Sequence, residues 1–251
     1  MGVLRVRTPW TRQPQYPVKI DWENPLTNGL VFAAYPIGNT FYDAVSGSTS
    51  VQAGTSGTTI TPRSTIDGNV SPGNEIVGSS TAAQKWVNQT GLDQLSGRFS
   101  MFVEGSPIVG ATTGQFVFSS VDTSTGNGLA FLYDDAAVVN NGFRLWGNNS
   151  NQVASNFTSL GSNYEFYRHR AMITGDGANV RFYAKGKLDN APASTFAPSA
   201  HSGRRTWICG AYRSGGAPNA CSSSLCLAWN RPMSLPDFQA LYNNPWQVFA
   251  P

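Results

Sequence analysis

Residues 170–188 read as two consecutive β-hairpins, and no other stretch narrows the possible folds as far. In Val180-Arg181-Phe182-Tyr183-Ala184-Lys185, apolar Val180, Phe182 and Ala184 alternate with Arg181, Tyr183 and Lys185. A period of two presents one apolar edge only if the backbone is extended, so Val180, Phe182 and Ala184 are expected inward and the other three outward. Arg170 to Thr174 is the partner strand, and Gly175-Asp176-Gly177 supplies the turn between them. Lys185-Gly186 then turns the chain into a short return strand at Lys187-Leu188.

Strand patterns recur elsewhere at irregular spacing. Leu30 to Tyr35 is one, ended by Pro36 and Gly38; Phe99 to Glu104 is another, with Phe99, Met101 and Val103 on one side. Gln115 to Val121, Leu129 to Tyr133, Phe143 to Trp146, Thr206 to Tyr212 and Leu225 to Trp229 follow. Residues 44–62 carry no charge and read as loop with one short strand. Only 12% of residues are charged, and the Gly, Ser, Thr and Asn that replace them disfavour helix interiors. One helix signal survives: Ser234-Leu235-Pro236-Asp237 joins an N-cap, an early proline and a first-turn acid, and Asn243-Asn244-Pro245 ends it. The expectation is an all-β, two-sheet antiparallel jelly-roll sandwich with a short C-terminal helix. Its single dry interior would gather Phe99, Met101, Val103, Val180, Phe182, Leu225 and Leu227.

Residues 1–28 stand apart from the sandwich at 29–251. Pro9, Pro14, Pro17 and Pro25 favour an extended arm, and Arg5, Arg7, Arg12 and Lys19 precede the first acid, Asp21. A solvated tail would seldom keep Trp10, Tyr16 and Trp22, so the arm either straps across its own sandwich or docks on a partner through Trp10, Arg12 and Tyr16. Deleting residues 1–20 is expected to leave the sandwich folded.

A net charge of +3 is too mild to point to nucleic acid, and no stretch approaches the ~20 apolar residues of a membrane span. Cys209, Cys221 and Cys226 are odd in number and form no CxxC pair, which suits reduced thiols made in a cytoplasm. The N-terminus has no signal-peptide core.

Catalytic constellations are missing from the pattern. A retaining glycosidase needs two carboxylates about 5 Å apart. The four glutamates are Glu23, Glu75, Glu104 and Glu165, and only Glu23 has a second acid within four residues. Adjacent Asp134 and Asp135 would face opposite ways on a strand. The two histidines, His169 and His201, read as surface or partly buried side chains; no Gly-x-Ser-x-Gly elbow or phosphate loop exists. Asp43, Asp134, Asp135 and Asp176 are the hard donors that would suit calcium, although Asp43 and Asp176 more simply close their own turns. No other cofactor is expected. For sugar, an exposed ring beside amides and acids is the usual requirement. Trp146 with Asn148 and the Tyr133-Asp134 pair fit it, with Trp86 behind them. The uncharged runs 145–164 and 214–230 suit contacts between copies in a dimer or trimer.

The order of these segments resembles laminin-G-like domains of the concanavalin A-like fold. The resemblance rests on the hairpins of 170–188, on the early turn Asp43-Ala44-Val45-Ser46-Gly47, and on Leu225 to Trp229 leading through Asn230-Arg231-Pro232-Met233-Ser234 into a helix. Lys185 stands where such domains usually have Asn. Thr8-Pro9-Trp10-Thr11-Arg12-Gln13-Pro14, Asn24-Pro25-Leu26 and the ending Asn244-Pro245-Trp246-Gln247-Val248-Phe249 are similar to laminin-G-like proteins of tailed bacteriophages and prophages. That likeness implies a non-enzymatic virion accessory protein, made in the host cytoplasm: a head decoration or cement protein, or a head fibre. Its partners would be capsid or tail proteins of the same virion. A tail-associated adhesin for host surface glycan is the alternative, and a glycan hydrolase on the same fold is a second one.

Overall fold

The computed structural model describes residues 10–38, 40–53, 59–62, 74–77, 84–88, 92, 95, 97–107, 115–122, 128–134, 142–147, 151–154, 169–190, 204–208 and 221–251. The strands among them are β1 (Leu30–Ile37), β2 (Thr40–Asp43), β3 (Ser48–Thr49), β4 (Val51–Ala53), β5 (Thr59–Pro62), β6 (Asn74–Val77), β7 (Gln84–Asn88), β8 (Arg98–Pro107) and β9 (Gln115–Asp122). Then come β10 (Gly128–Asp134), β11 (Gly142–Gly147), β12 (Asn151–Ala154), β13 (His169–Asp176), β14 (Val180–Ala184), β15 (Lys187–Asn190), β16 (Arg204–Ile208), β17 (Cys221–Trp229) and the helix α1 (Leu235–Asn243).

They form an all-β antiparallel sandwich. One sheet has ten strands, with the path β15-β14-β13-β8-β17-β1-β2-β3 and β6 and β5 added beside β17. The other has seven, β12-β11-β10-β9-β16-β7-β4. The hairpin expected from alternation is present, with Ile173 opposite Phe182 and Thr174 opposite Arg181. β13 continues to Asp176, whose Oδ1 accepts from the Ala178 and Asn179 amides and closes the turn. Beside that turn, Gly175 faces Phe99; a Cβ on Gly175 would sit 2.5 Å from the Phe99 ring, so only glycine admits the ring there. β1 runs through Pro36 rather than stopping at it. The β1–β17 pairing ends at Ala34 opposite Cys226, so the proline's missing N–H falls where those two strands have parted.

Between the sheets lies the first core. Phe32, Phe99, Met101, Val103, Phe118, Phe131, Leu145, Ile173, Val180 and Phe182 are all fully buried there. Phe32 of β1 stacks on Phe118 of β9 across the gap, ring centroids 5.2 Å apart. Each such side chain contributes roughly 1.5–3 kcal/mol by leaving water.

Leu225 and Leu227 do not join that core. In the β8–β17 register Cys226 pairs with Val103 and Ala228 with Met101, so these small residues face the seven-stranded sheet. Leu225, Leu227 and Trp229 point the other way, with Phe102, Met172, Tyr35 and Tyr183. The three share one side, as a period of two requires, but that side faces a second interior and not the one between the sheets. Tyr183, expected outward, is likewise buried.

A third layer covers this back face. α1 contributes Phe238 and Leu241, the 3-10 turn Pro245–Val248 and its exit give Trp246, Val248 and Phe249, and the arm adds Val18 and Ile20. α1 begins as expected: the Ser234 hydroxyl accepts from the Asp237 amide, and the Asp237 carboxylate accepts from the Ser234 amide, a reciprocal cap.

Candidate functional site: the strapped back face and the sheet rim

The described part of the arm, residues 10–28, lies on its own sandwich. Trp10 Nε1 donates to Ala250 O at 2.7 Å, and Asn244 Nδ2 donates to Trp10 O at 2.8 Å. Ile20 bridges Phe249, flanked by Asp21 N to Val248 O at 2.9 Å and Ala250 N to Lys19 O at 2.8 Å. The Tyr35 hydroxyl, buried on β1, donates to Tyr16 O at 3.0 Å and accepts from Val18 N at 3.1 Å. Burial pushes that phenol well above its ordinary range, so it keeps its proton for the bond to Tyr16. Further on, Trp229 Nε1 donates to Leu26 O at 2.7 Å and Arg231 Nε to Asn28 O at 2.6 Å, pinning the 3-10 turn Pro25–Thr27.

This arrangement divides the three arm residues expected to anchor a partner. Trp10 is half-buried, with its indole bonded inside the chain and its ring edge-on to Tyr16 at 5.9 Å. Arg12 and Tyr16 remain exposed, and Trp22, which the sequence had offered no separate role, is exposed by 61%. Because Val18 and Ile20 belong to the second core, removal of residues 1–20 would uncover it; the arm is not detachable from the fold as the sequence suggested.

The acids have structural duties. Asp43 is fully buried; its Oδ1 accepts from the Ala33 and Val45 amides and its Oδ2 from the amide and hydroxyl of Ser46. Burial raises its pKa, and the four donors oppose that shift. Asp176 has its pKa lowered to about 2 by the Ala178 and Asn179 amides and by the Arg181 guanidinium, which donates to Oδ2 at 2.7 Å. Glu104 is fully buried. Arg170 Nε donates to its Oε2 at 2.6 Å and the Ser224 hydroxyl to its Oε1 at 2.9 Å. A bulge at Ser224 in the β8–β17 ladder aims that hydroxyl. Beside it, a Cβ on Gly105 would collide with the Ser222 carbonyl, so the close approach of the strands needs glycine. Arg170 Nη1 also donates to the carbonyls of Tyr242 and Asn243, placing a cation on the C-terminal end of α1. His169 is buried at the start of β13, deeper than expected of a surface or partly buried histidine. Among the described residues no three His, Cys, Asp or Glu side chains gather as metal ligands.

The residues proposed for sugar contact fall at opposite ends of the β10–β11 hairpin in the seven-stranded sheet: Ala130, which faces Trp146, and Asp134 are four residues apart on β10, roughly 13 Å along the strand. Trp146 stands opposite Ala130 and Gln152, Tyr133 opposite Phe143, and Asp134 opposite Gly142. Leu129, Phe131 and Leu145 are core residues of this hairpin. By strand alternation, position 133 shares their side of the sheet while positions 134 and 146 share the other. Asn148, Asp135 and His201 lie outside the described residues.

No protein-family model matches the chain, and no curated protein matches it. Solved structures do. The binding domain of botulinum neurotoxin DC, in complex with SialylT, aligns with a TM-score of 0.60 and 13% identity over 87% of this chain and 52% of that one. Trypanosoma rangeli sialidase aligns with a TM-score of 0.58 and 13% identity over 86% of this chain and 33% of that one. Domain 4 of AbnA, a GH43 extracellular arabinanase from Geobacillus stearothermophilus, in complex with arabinotriose, aligns with a TM-score of 0.57 and 12% identity, over 85% of this chain and 98% of that domain. The chain thus spans about a third of the sialidase and half of the neurotoxin structure. At these identities the likeness is one of fold, a β-sandwich.

Proposed function

We propose that the chain is a non-enzymatic recognition module that binds glycan along the β10–β11 hairpin of its seven-stranded sheet. The observation that supports this most is the occupation of four of its described acids. Asp43, Glu104, Asp176 and Asp237 each hold a turn, an arginine or a helix cap, so none of these four is poised as a nucleophile or proton donor. The fold is one that, in domain 4 of AbnA, accompanies a bound trisaccharide. On this reading Trp146 is the residue that stacks on sugar, and Asp134, on the same side of the hairpin but roughly 13 Å along it, would meet a more distant ring of the same glycan. Position 133 falls on the same side of the hairpin as Leu129 and Phe131, so Tyr133 is left out of the proposed contact set. Screening the full chain on an array of bacterial and host surface glycans tests the proposal. Retention of at least one glycan, lost in Trp146→Ala with folding intact, is the expected result; silence across the array would refute it.

A second reading concerns where the module is carried: a virion, as a head decoration, cement or fibre protein docked through its arm. It is favoured by Arg12 and Tyr16, which stay exposed on a backbone fixed by the tail and by Tyr35. Arginine and tyrosine are common interface anchors, and a fixed backbone lowers the entropy lost on docking. Trp10, bonded within the chain, positions Tyr16. The test is incorporation of an Arg12→Ala/Tyr16→Ala chain into particles, which leaves Val18 and Ile20 in place. Undiminished incorporation would rule out arm docking.

A further inference from the structure

The back-face groove between Tyr35 and the C-terminal tail is, in physical terms, a peptide-binding site already filled by residues 10–21. Its ligand is therefore known in detail: a segment with Val18 and Ile20 two residues apart facing the sheet, a carbonyl at Tyr16 for the Tyr35 phenol, and backbone groups at Lys19 and Asp21 for the tail. We propose that this segment exchanges between two copies of the chain, each strap filling the other's groove to give a closed dimer. Reciprocal exchange remakes the same bonds, so its free energy differs from the closed form at the hinge, at any new contact and by the entropy lost in joining two chains, which concentration offsets.

The hinge is the turn Asp21–Asn24. It is closed by Asn24 N to Asp21 O at 3.1 Å and by Glu23 N to Asp21 Oδ1 at 3.2 Å. Downstream the chain cannot move, because Asn24 Nδ2, Leu26 O and Asn28 O are bonded to Gln247, Trp229 and Arg231 of the same sandwich. Upstream lies the strap. Opening two or three exposed residues therefore transfers the whole segment, and short turns at such positions favour exchange. The two residues at the corner, Trp22 and Glu23, are exposed. An indole left 61% exposed on a pinned backbone gains nothing in the single chain. On exchange the second copy supplies the apolar cover that Trp22 lacks in the single chain. This inference is independent of the glycan reading.

Lys19 and Ala250 face each other in the strap–tail pair and lie outside both cores, so they report which copy the strap occupies. One chain carrying Lys19→Cys and a second carrying Ala250→Cys are unfolded together, refolded at high concentration and oxidised. Wild-type chain treated alongside accounts for cross-links through the native cysteines. The expected product is a disulfide-linked pair holding one chain of each kind, absent from either variant alone. Light scattering on the wild type should show a dimer share that rises with concentration and falls several-fold in Trp22→Ala. The doubly substituted Lys19→Cys/Ala250→Cys chain serves as the control for geometry. If it closes its own internal disulfide while the mixture stays unlinked, exchange is overturned. A wild type that remains a monomer at every concentration overturns it too.

Discussion

Replacing Tyr35 by Phe removes one oxygen and tests how the third layer is held. That oxygen serves two bonds, to the Tyr16 carbonyl and from the Val18 amide, and Tyr35 itself has no solvent exposure. The ring stays, with its edge contacts to Tyr42 and Phe249, so no cavity forms. The bond to Val18 is buried, and an amide left there without a partner costs about 2 kcal/mol. The Tyr16 carbonyl is only part-buried and can turn to water, which limits its loss to about 0.5–1 kcal/mol. The sum is about 2.5–3 kcal/mol, close to a hundredfold in the opening equilibrium of the strap. Urea unfolding followed by tryptophan fluorescence should show the loss. Trypsin cleavage after Lys19, which needs the strap lifted from the tail, should accelerate by a similar factor where opening is fast and reversible. A change under about 0.5 kcal/mol with unaltered cleavage would mean that Tyr35 does not hold the arm, and the three-layer account would be wrong in its central bond.

Other substitutions probe separate joints. Glu104→Gln leaves the nearly buried Arg170 guanidinium without its counter-charge and should cost about 3 kcal/mol in chemical denaturation, with most of it recovered in a Glu104→Leu/Arg170→Leu chain. Lys185→Asn should stabilise by about 0.5–1 kcal/mol, since Lys185 holds a φ of 48° that asparagine tolerates better; a destabilised variant would contradict the strain. Ser234→Ala should lower stability by about 1 kcal/mol, read as a shift in urea midpoint at constant slope. The two turn aspartates, Asp43 buried and Asp176 partly exposed, act in opposite directions with pH. Asp176, lowered from 3.8 to about 2, stabilises the fold above 3.8, and that contribution disappears as pH falls towards 2. Asp43, raised by burial, favours the fold most at low pH and loses that advantage as pH rises from 3.8 through its folded value. Asp176→Asn should flatten the acid limb of a stability–pH curve and leave the neutral region unchanged in shape.

Much of the sandwich was legible because strands write their geometry with a period of two. The alternation of 180–184, the Asp176 turn and the Ser234 cap each depend on neighbours within four residues, and each appears where the sequence put it. What failed was the meaning of the outward side. Tyr183, Leu225, Leu227 and Trp229 are buried by α1, the tail and the arm, and local pattern carries no sign of a layer whose arm residues Val18 and Ile20 lie some 200 residues before Leu225. β6, β7 and β12 were passed over for a related reason: short polar strands such as Asn74–Val77 and Asn151–Ala154 show no apolar alternation, and they form because a neighbour supplies the ladder. The candidate site was less legible still. Aromatic residues named Trp10, Tyr16 and Trp146, yet which ring is tied down and which is offered to a partner follows from distant bonds such as Trp10 to Ala250.

The proposed module holds glycan without cutting it. Incubating the protein for long periods with a glycan it retains, then weighing the recovered glycan by mass spectrometry and counting reducing ends, measures that claim directly. Intact glycan and a constant count of reducing ends are predicted, with retention abolished by Trp146→Ala. Fragments or newly formed reducing ends that track the purified chain would contradict it.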